Sequence, residues 1–219
     1  MKKIIIASAA IMLLTSTVFS TSLEKRHGLS LSFGIWSQTT SVRTEIGTGG
    51  VETSVGKDGM LAAIGYTHWL QENMAMTFDL KVQALDVSNN VDLISSETES
   101  SVVSSMLLGF KYYFLKSTLA SSARPFIKLG TGPYIGEQSK ESASMVVLIE
   151  ERTEIAIGGH AGIGVDIVTG RHFMLGVNTG YNFMSDFSQP INGSKNYSGP
   201  EFGFSFSWLF GKGVEKEEE

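Results

Sequence analysis

Ionisable side chains stand at alternate positions inside stretches that otherwise carry little charge: Asp79 and Lys81, Lys111, Lys128, His160 and Asp166, and Glu201. Such residues could do several kinds of chemistry. A carboxylate beside an imidazole is an acid–base pair. A lysine facing a carboxylate in a dry interior must form an ion pair, because an unpaired buried charge is too costly. Metal ligation finds no support. The chain has no Cys, and His27, His68, His160 and His172 do not fall at ligand spacing. GTGPYIG and GGHAGIG do not meet the dinucleotide fingerprint, so no cofactor is expected. Nucleophilic catalysis needs nucleophile, base and orienter within reach. Only His160 is a candidate base, and no His-x-Ser motif accompanies it, so the chain is not expected to be an enzyme.

The elements that must hold these residues alternate with a period of two, the signature of strands with two distinct faces. Eight such stretches follow one another: His27 to Ser37, Met60 to Trp69, Met74 to Leu85, Val103 to Phe114, Arg124 to Gly136, Glu154 to Ile167, His172 to Phe183 and Glu201 to Phe210. The third has Met76, Phe78, Leu80 and Val82 against Thr77, Asp79, Lys81 and Gln83. The last has Phe202, Phe204, Phe206, Trp208 and Phe210 against Glu201, Gly203, Ser205 and Ser207. No Lys, Arg, Asp or Glu stands on any of the eight apolar faces. The links alternate in length: 70–73, 115–123 and 168–171 are short, while 38–59, 86–102, 137–153 and 184–199 are long. Pro133 interrupts the fifth strand, where it cannot donate a ladder bond, and is expected near the loop-side rim.

A soluble lipocalin-like barrel binding a hydrophobic ligand would bury the apolar faces; a membrane barrel would turn them to lipid. Three features favour the membrane. Aromatics gather at strand ends, expected as two girdles: Tyr66, Trp69, Tyr112, Tyr113, Phe114, Phe126, Phe173, Trp208 and Phe210 at the short-turn end, and Trp36, Tyr134, Tyr181, Phe183 and Phe202 at the loop end. The second faces are rich in glycine, as a narrow interior demands. Strands of about ten residues match a tilted crossing. Lipid cannot satisfy strand edges, so the sheet must close. The start of the chain agrees. Lys2, Lys3, the apolar run Ile4 to Leu14 and a small polar stretch form a secretory signal, with cleavage expected near Ser20. Its loss takes the net charge from −5 to −7, which argues against nucleic acid as a partner.

With these residues in place, the chain from His27 to Phe210 resembles the small eight-stranded outer-membrane barrels of the OmpA/OmpX type. The most specific match is at the end. Glu201, Gly203, Phe206 and Trp208 fit the spacing of the signal that such barrels present to the barrel-assembly machinery, and Phe210 continues it. Family members commonly stop at the terminal aromatic, whereas GKGVEKEEE follows here.

The expected architecture is an all-β, eight-stranded antiparallel up-and-down transmembrane barrel in the bacterial outer membrane. Residues 1–20 form the signal peptide, 21–210 the barrel and 211–219 an acidic periplasmic tail. Asp79, Lys81, Lys111, Lys128, His160 and Glu201 form a polar network in the lumen. Asp79 is expected to face Lys111 and Lys128, with Lys81, His160 and Glu201 nearer the loops. The network would plug the lumen or, as the functional alternative, gate a minor pore. The expected role is structural or surface interaction, with outer-membrane lipid, lipopolysaccharide and an extracellular ligand at the loops as partners. A lipid-A-modifying enzyme is the further alternative. Asn192-Gly-Ser and Asn196-Tyr-Ser match glycosylation acceptors but are read as chance, and MVVLIEE, 145–151, reads as a strand extension beyond the membrane.

Overall fold

The computed structural model describes residues 22–39, 41–44, 51–54, 58–84, 88–91, 96–114, 123–143 and 147–213. The expected signal peptide and most of the acidic tail lie outside them. Eleven strands occur in chain order: β1 His27–Ser37, β2 Ser41–Thr44, β3 Val51–Ser54, β4 Asp58–Gln71, β5 Met74–Ala84, β6 Ser88–Val91, β7 Ser96–Tyr113, β8 Ala123–Ala143, β9 Val147–Val168, β10 Phe173–Met184 and β11 Gly199–Phe210. Eight of them form the wall. Each pairs antiparallel with its neighbour in the order β1, β4, β5, β7, β8, β9, β10, β11, and β11 returns to β1. Closure leaves the wall without an edge at membrane depth, which lipid requires. β2 and β3 form a hairpin in the first long link, and β6 pairs with the upper part of β7.

The apolar faces turn outward. Exposed Leu31, Phe33, Leu80, Leu108, Leu129, Ile163, Leu175 and Phe204 encircle the wall, while Asp79, Lys81, Asp166 and Glu201 are buried inside. The lipocalin-like alternative needed Phe202, Phe204 and Phe206 buried; all three are exposed. At the short-turn end His27 and His68 also face outward. They are register partners with rings stacked at 4.6 Å, and His27 Nδ1 lies 2.6 Å from the Tyr66 hydroxyl, so the polar edges are shared at the interface.

Two expectations need correction. Five aromatics assigned to the girdles point inward: Trp36, Trp69, Tyr113, Phe126 and Tyr134, none more than 3% exposed. Position along a strand does not decide this; parity does. Trp69 shares the inward side of β4 with Leu61 and Ala63, whereas Tyr66 lies on the other side. The outward girdles are therefore Tyr66, Tyr112, Phe114, Phe173, Trp208 and Phe210 at one end and Tyr181, Phe183 and Phe202 at the other. The second correction concerns link 137–153, which is mostly strand: of the expected extension 145–151, Val147 to Glu151 lies in β9, and the polar stretch before it is strand as well. β8 runs on to Ala143 and β9 begins at Val147, and the two stay in register throughout. β10 pairs with β9 only from Gly158 onward, so the β7–β8–β9 part of the wall stands taller than the rest. Pro133 lies where the β7–β8 ladder skips from Ser105–Tyr134 to Leu108–Thr131, near the level at which β10 ends. Its missing N–H accounts for the gap.

The three tryptophans separate the two faces experimentally. Single-Trp variants in bilayers with brominated acyl chains should show strong quenching for Trp208 and little for Trp36 or Trp69; equal quenching of all three would contradict this assignment.

Candidate functional site

The lumen is narrow, so what fills it follows from which residues have inward parity. Lys81 on β5 reaches Glu201 on β11, with Nζ donating to Oε1 at 2.8 Å and Oε2 at 3.0 Å. His160 Nε2 stands 2.8 Å from the same Oε1, a close contact without good hydrogen-bond alignment. Asn182 Nδ2 donates to Glu201 Oε2 at 2.5 Å, and the Tyr134 hydroxyl lies 3.1 Å from Asn182 Oδ1. Glu201 thus collects a lysine, an amide and an imidazole from three other strands. Glycine makes the room: a Cβ on Gly180 would lie 2.4 Å from His160 Nε2.

Lys111 and Lys128 are register partners on β7 and β8, an unfavourable pairing of like charges. Each escapes to a different carboxylate. Lys128 donates to Asp79 Oδ1 at 2.9 Å and lies 2.8 Å from Oδ2. Lys111 donates to Asp166 Oδ2 at 2.5 Å, where the Tyr113 hydroxyl also donates at 2.7 Å. The Lys111 ammonium sits 3.7 Å over the centre of the Phe126 ring, a cation–π contact. Asp79 therefore takes Lys128, not both lysines, and Lys111 belongs to Asp166. Asp166 has inward parity in the sequence; what the pattern could not supply is its reach past β8 to Lys111 on β7. The three lysines and three carboxylates form three pairs and leave no net charge. A cavity of about 60 Å³ beside them, lined by Ser30, Thr77, Asn178 and Ser205 among others, has room for roughly four water molecules.

A buried hydrophobic cluster stands at each end. Towards the loops, the 185–198 segment folds into the mouth. Phe187, Ile191 and Tyr197 pack with Trp36, Leu61, Val103, Leu107, Tyr134, Ala156 and Met184. The turn that allows this is Asn192-Gly193, both at positive φ (43° and 74°), bridged by Ile191 and Ser194. Asn-Gly is the preferred pair for such a tight reversal. Asn192 N donates to Gln138 Oε1 at 3.0 Å, Gln38 Nε2 donates to Ser194 Oγ at 2.5 Å, and Asn196 Nδ2 donates to the Met184 carbonyl at 2.9 Å. Gly136 makes room for this segment, since a Cβ there would meet Phe187 at 2.9 Å. Towards the short turns, Leu23 joins Trp69, Ala75, Tyr113, Phe126, Met174 and Leu209. The 22–26 segment is tied across this end by Lys25 N to Trp69 O at 2.9 Å and Trp69 N to Arg26 O at 3.1 Å.

Neither a protein-family model nor a curated protein matches the sequence. Solved structures do match the fold. The outer-membrane protein OprG of Pseudomonas aeruginosa superposes with a TM-score of 0.50 at 11% identity, covering 87% of this chain and 98% of that one. Ail, the attachment invasion locus protein of Yersinia pestis, solved with the heparin analogue sucrose octasulfate, also gives 0.50 at 11% identity, covering 85% and 99%. The fold is that of a small outer-membrane barrel. A barrel with this closed wall and apolar belt resides in the bacterial outer membrane. Of the expected assembly-signal residues, Phe206, Trp208 and Phe210 face outward on β11 and Gly203 faces the barrel lumen.

Replacing Glu201 by Gln strips the buried Lys81 of its counter-charge. Urea unfolding of the refolded barrel should show a loss of about 3–5 kcal/mol. The Lys81→Met, Glu201→Gln double variant should recover much of it, and equal losses in the two variants would contradict the coupling.

Proposed function

We propose that this chain is a sealed, non-conducting outer-membrane barrel with a structural and surface-interaction role. The observation that carries the reading is the three-layer lumen, in which neutral ion pairs lie between two aromatic plugs. Asp79, Lys81, Lys111, Lys128, His160 and Glu201, joined by Asp166, act as the plug that replaces a solute path. An eight-stranded wall leaves space for side chains and little else. The membrane partners are phospholipid and lipopolysaccharide around the belt. Gly203, Phe206, Trp208 and Phe210 serve as the signal for the barrel-assembly machinery.

The barrel is read as non-enzymatic. Its one inward histidine, His160, faces Glu201 and Gly180 behind both plugs, where no lipid A can approach it. Interaction belongs to the loop end, where the tall β7–β8–β9 wall and the long links lie, because surface loops on a rigid scaffold carry binding. Ail takes a polyanion, but its ligand is not carried over. Link 86–102 holds Asp86, Asp92, Glu97 and Glu99 without a basic residue, and exposed Asp58, Glu137, Glu151 and Asp186 add to the acidity of this end. A neutral or cationic ligand fits it better.

Purified barrel in planar bilayers should be electrically silent. Reproducible single-channel steps from the unmodified chain would overturn the sealed reading in favour of the minor pore.

A further inference from the structure

The periplasmic mouth carries a charge that the lumen network does not balance. Arg26 is 3% exposed. Its Nη2 donates to the Arg171 carbonyl oxygen at 2.5 Å, but Nε and Nη1 have no partner. Among the described residues no ion pair includes it. Its charged neighbour is another cation: burial first, and the Arg171 charge second, lower the Arg26 pKa from its ordinary value. A buried guanidinium with spare donors beside a second guanidinium is costly unless an anion satisfies both.

The surroundings repeat the sign. Lys25 precedes Arg26, and the Lys25 carbonyl approaches the Gly211 backbone, at 3.8 Å from where a Cβ would be. Gly213 lies against the Arg26 side chain, its Cβ position 3.4 Å from Cδ, which brings Lys212 to the same corner. His172 follows Arg171 and contacts the Leu209 carbonyl at 3.2 Å. Lys25, Arg171, His172 and Lys212 are all exposed. Glu24 is the single acid in segments 22–27, 169–173 and 209–213, while Glu72, in the turn at the same end, acts electrostatically on a further buried arginine, Arg124. A basic corner on a chain of negative net charge stands just beyond the ring of Phe210, which stacks on His27 at 5.5 Å at the end of the lipid-facing belt. That is the level of the periplasmic headgroups.

We propose that Arg26 and Arg171 form a phosphate-binding site at the periplasmic mouth, filled by the headgroup of an anionic phospholipid of the inner leaflet. Arg26 Nε and Nη1 are unpartnered but covered, so the headgroup docks on exposed Arg171 and the Arg26 guanidinium swings out beside it to donate charge-assisted hydrogen bonds to phosphate oxygens. Arg171 supplies the second charge from the solvent side, and Lys25 and Lys212 raise the local concentration of anionic lipid.

The test uses the refolded barrel in phosphatidylcholine nanodiscs with a rising fraction of phosphatidylglycerol, read by thermal unfolding and by lipid retention in native mass spectrometry. A second arm adds inorganic phosphate to nanodiscs of phosphatidylcholine alone. Phosphatidylglycerol should raise the unfolding temperature of the wild type and be retained. Arg26→Gln and Arg171→Gln should each weaken binding about tenfold or more, as expected for loss of a hydrogen bond to a charged group. Lys195→Gln, at the opposite end, should bind as the wild type does. A response to inorganic phosphate without one to phosphatidylglycerol supports the site with free phosphate as its source. The proposal is overturned if neither anion binds, if both arginine variants bind like the wild type, or if Lys195→Gln weakens binding as much as they do.

Discussion

A space one or two side chains wide, enclosed by a wall that must be greasy on its outside, governs this structure. Lipid forbids charge on the outer face and forbids unpaired backbone, so the sheet closes and every charged side chain of the described strands is sent inward or to the rims, while outward Thr131 and Thr179 donate their hydroxyls to backbone carbonyls. Once inside, each charge is desolvated and must meet its opposite. The lysines of β5, β7 and β8 therefore reach across to carboxylates of β5, β9 and β11, and those contacts tie together strands that are not neighbours in the sheet. The glycines of the inner face follow from the same constraint, because a larger residue at Gly180 would occupy the space of His160.

The two ends solve a common problem differently. A barrel this narrow still has two open mouths, where inward side chains would meet water. At the loop end the chain folds its own 185–198 segment into the mouth, using an Asn-Gly reversal to turn there. Asn192 and Asn196, which match glycosylation acceptors by sequence, act here as turn and anchor residues. At the other end, Leu23 and the short segment before β1 complete an aromatic floor. The ends also differ in the charges they expose: Asp58, Glu137, Glu151 and Asp186 with Arg152 and Lys195 towards the loops, and Lys25, Arg171 and Lys212 towards the short turns.

Much of the wall was legible in the sequence because a strand has a period of two and a membrane punishes every error in it. Each of the eight wall strands falls where alternation places it, and the outward face carries no charge in the strand cores. The girdles were less legible. Trp36, Trp69, Tyr113, Phe126 and Tyr134 stand near strand ends and were grouped by that position, but parity turns them inward. In link 137–153 the apolar stretch 145–151 reads as strand, but the polar 137–143 reads as loop. Its residues lie above the bilayer, where a strand no longer needs an apolar face, so the signal vanishes while the ladder continues.

The sequence by itself determined which side chains share the lumen, since parity is local and survives without knowledge of register. It could not determine who meets whom there. Lys111 and Lys128 looked equally placed for Asp79, yet as direct cross-strand partners they repel. The curvature of the wall brings Asp166, on β9 beyond the intervening β8, within 2.5 Å of Lys111 and leaves Asp79 to Lys128. The union of Lys81 with Glu201, 120 residues apart, likewise exists because β5 and β11 lie across the barrel from one another. Periodicity assigns a residue to a face; the shear and curvature of the closed wall assign it a partner.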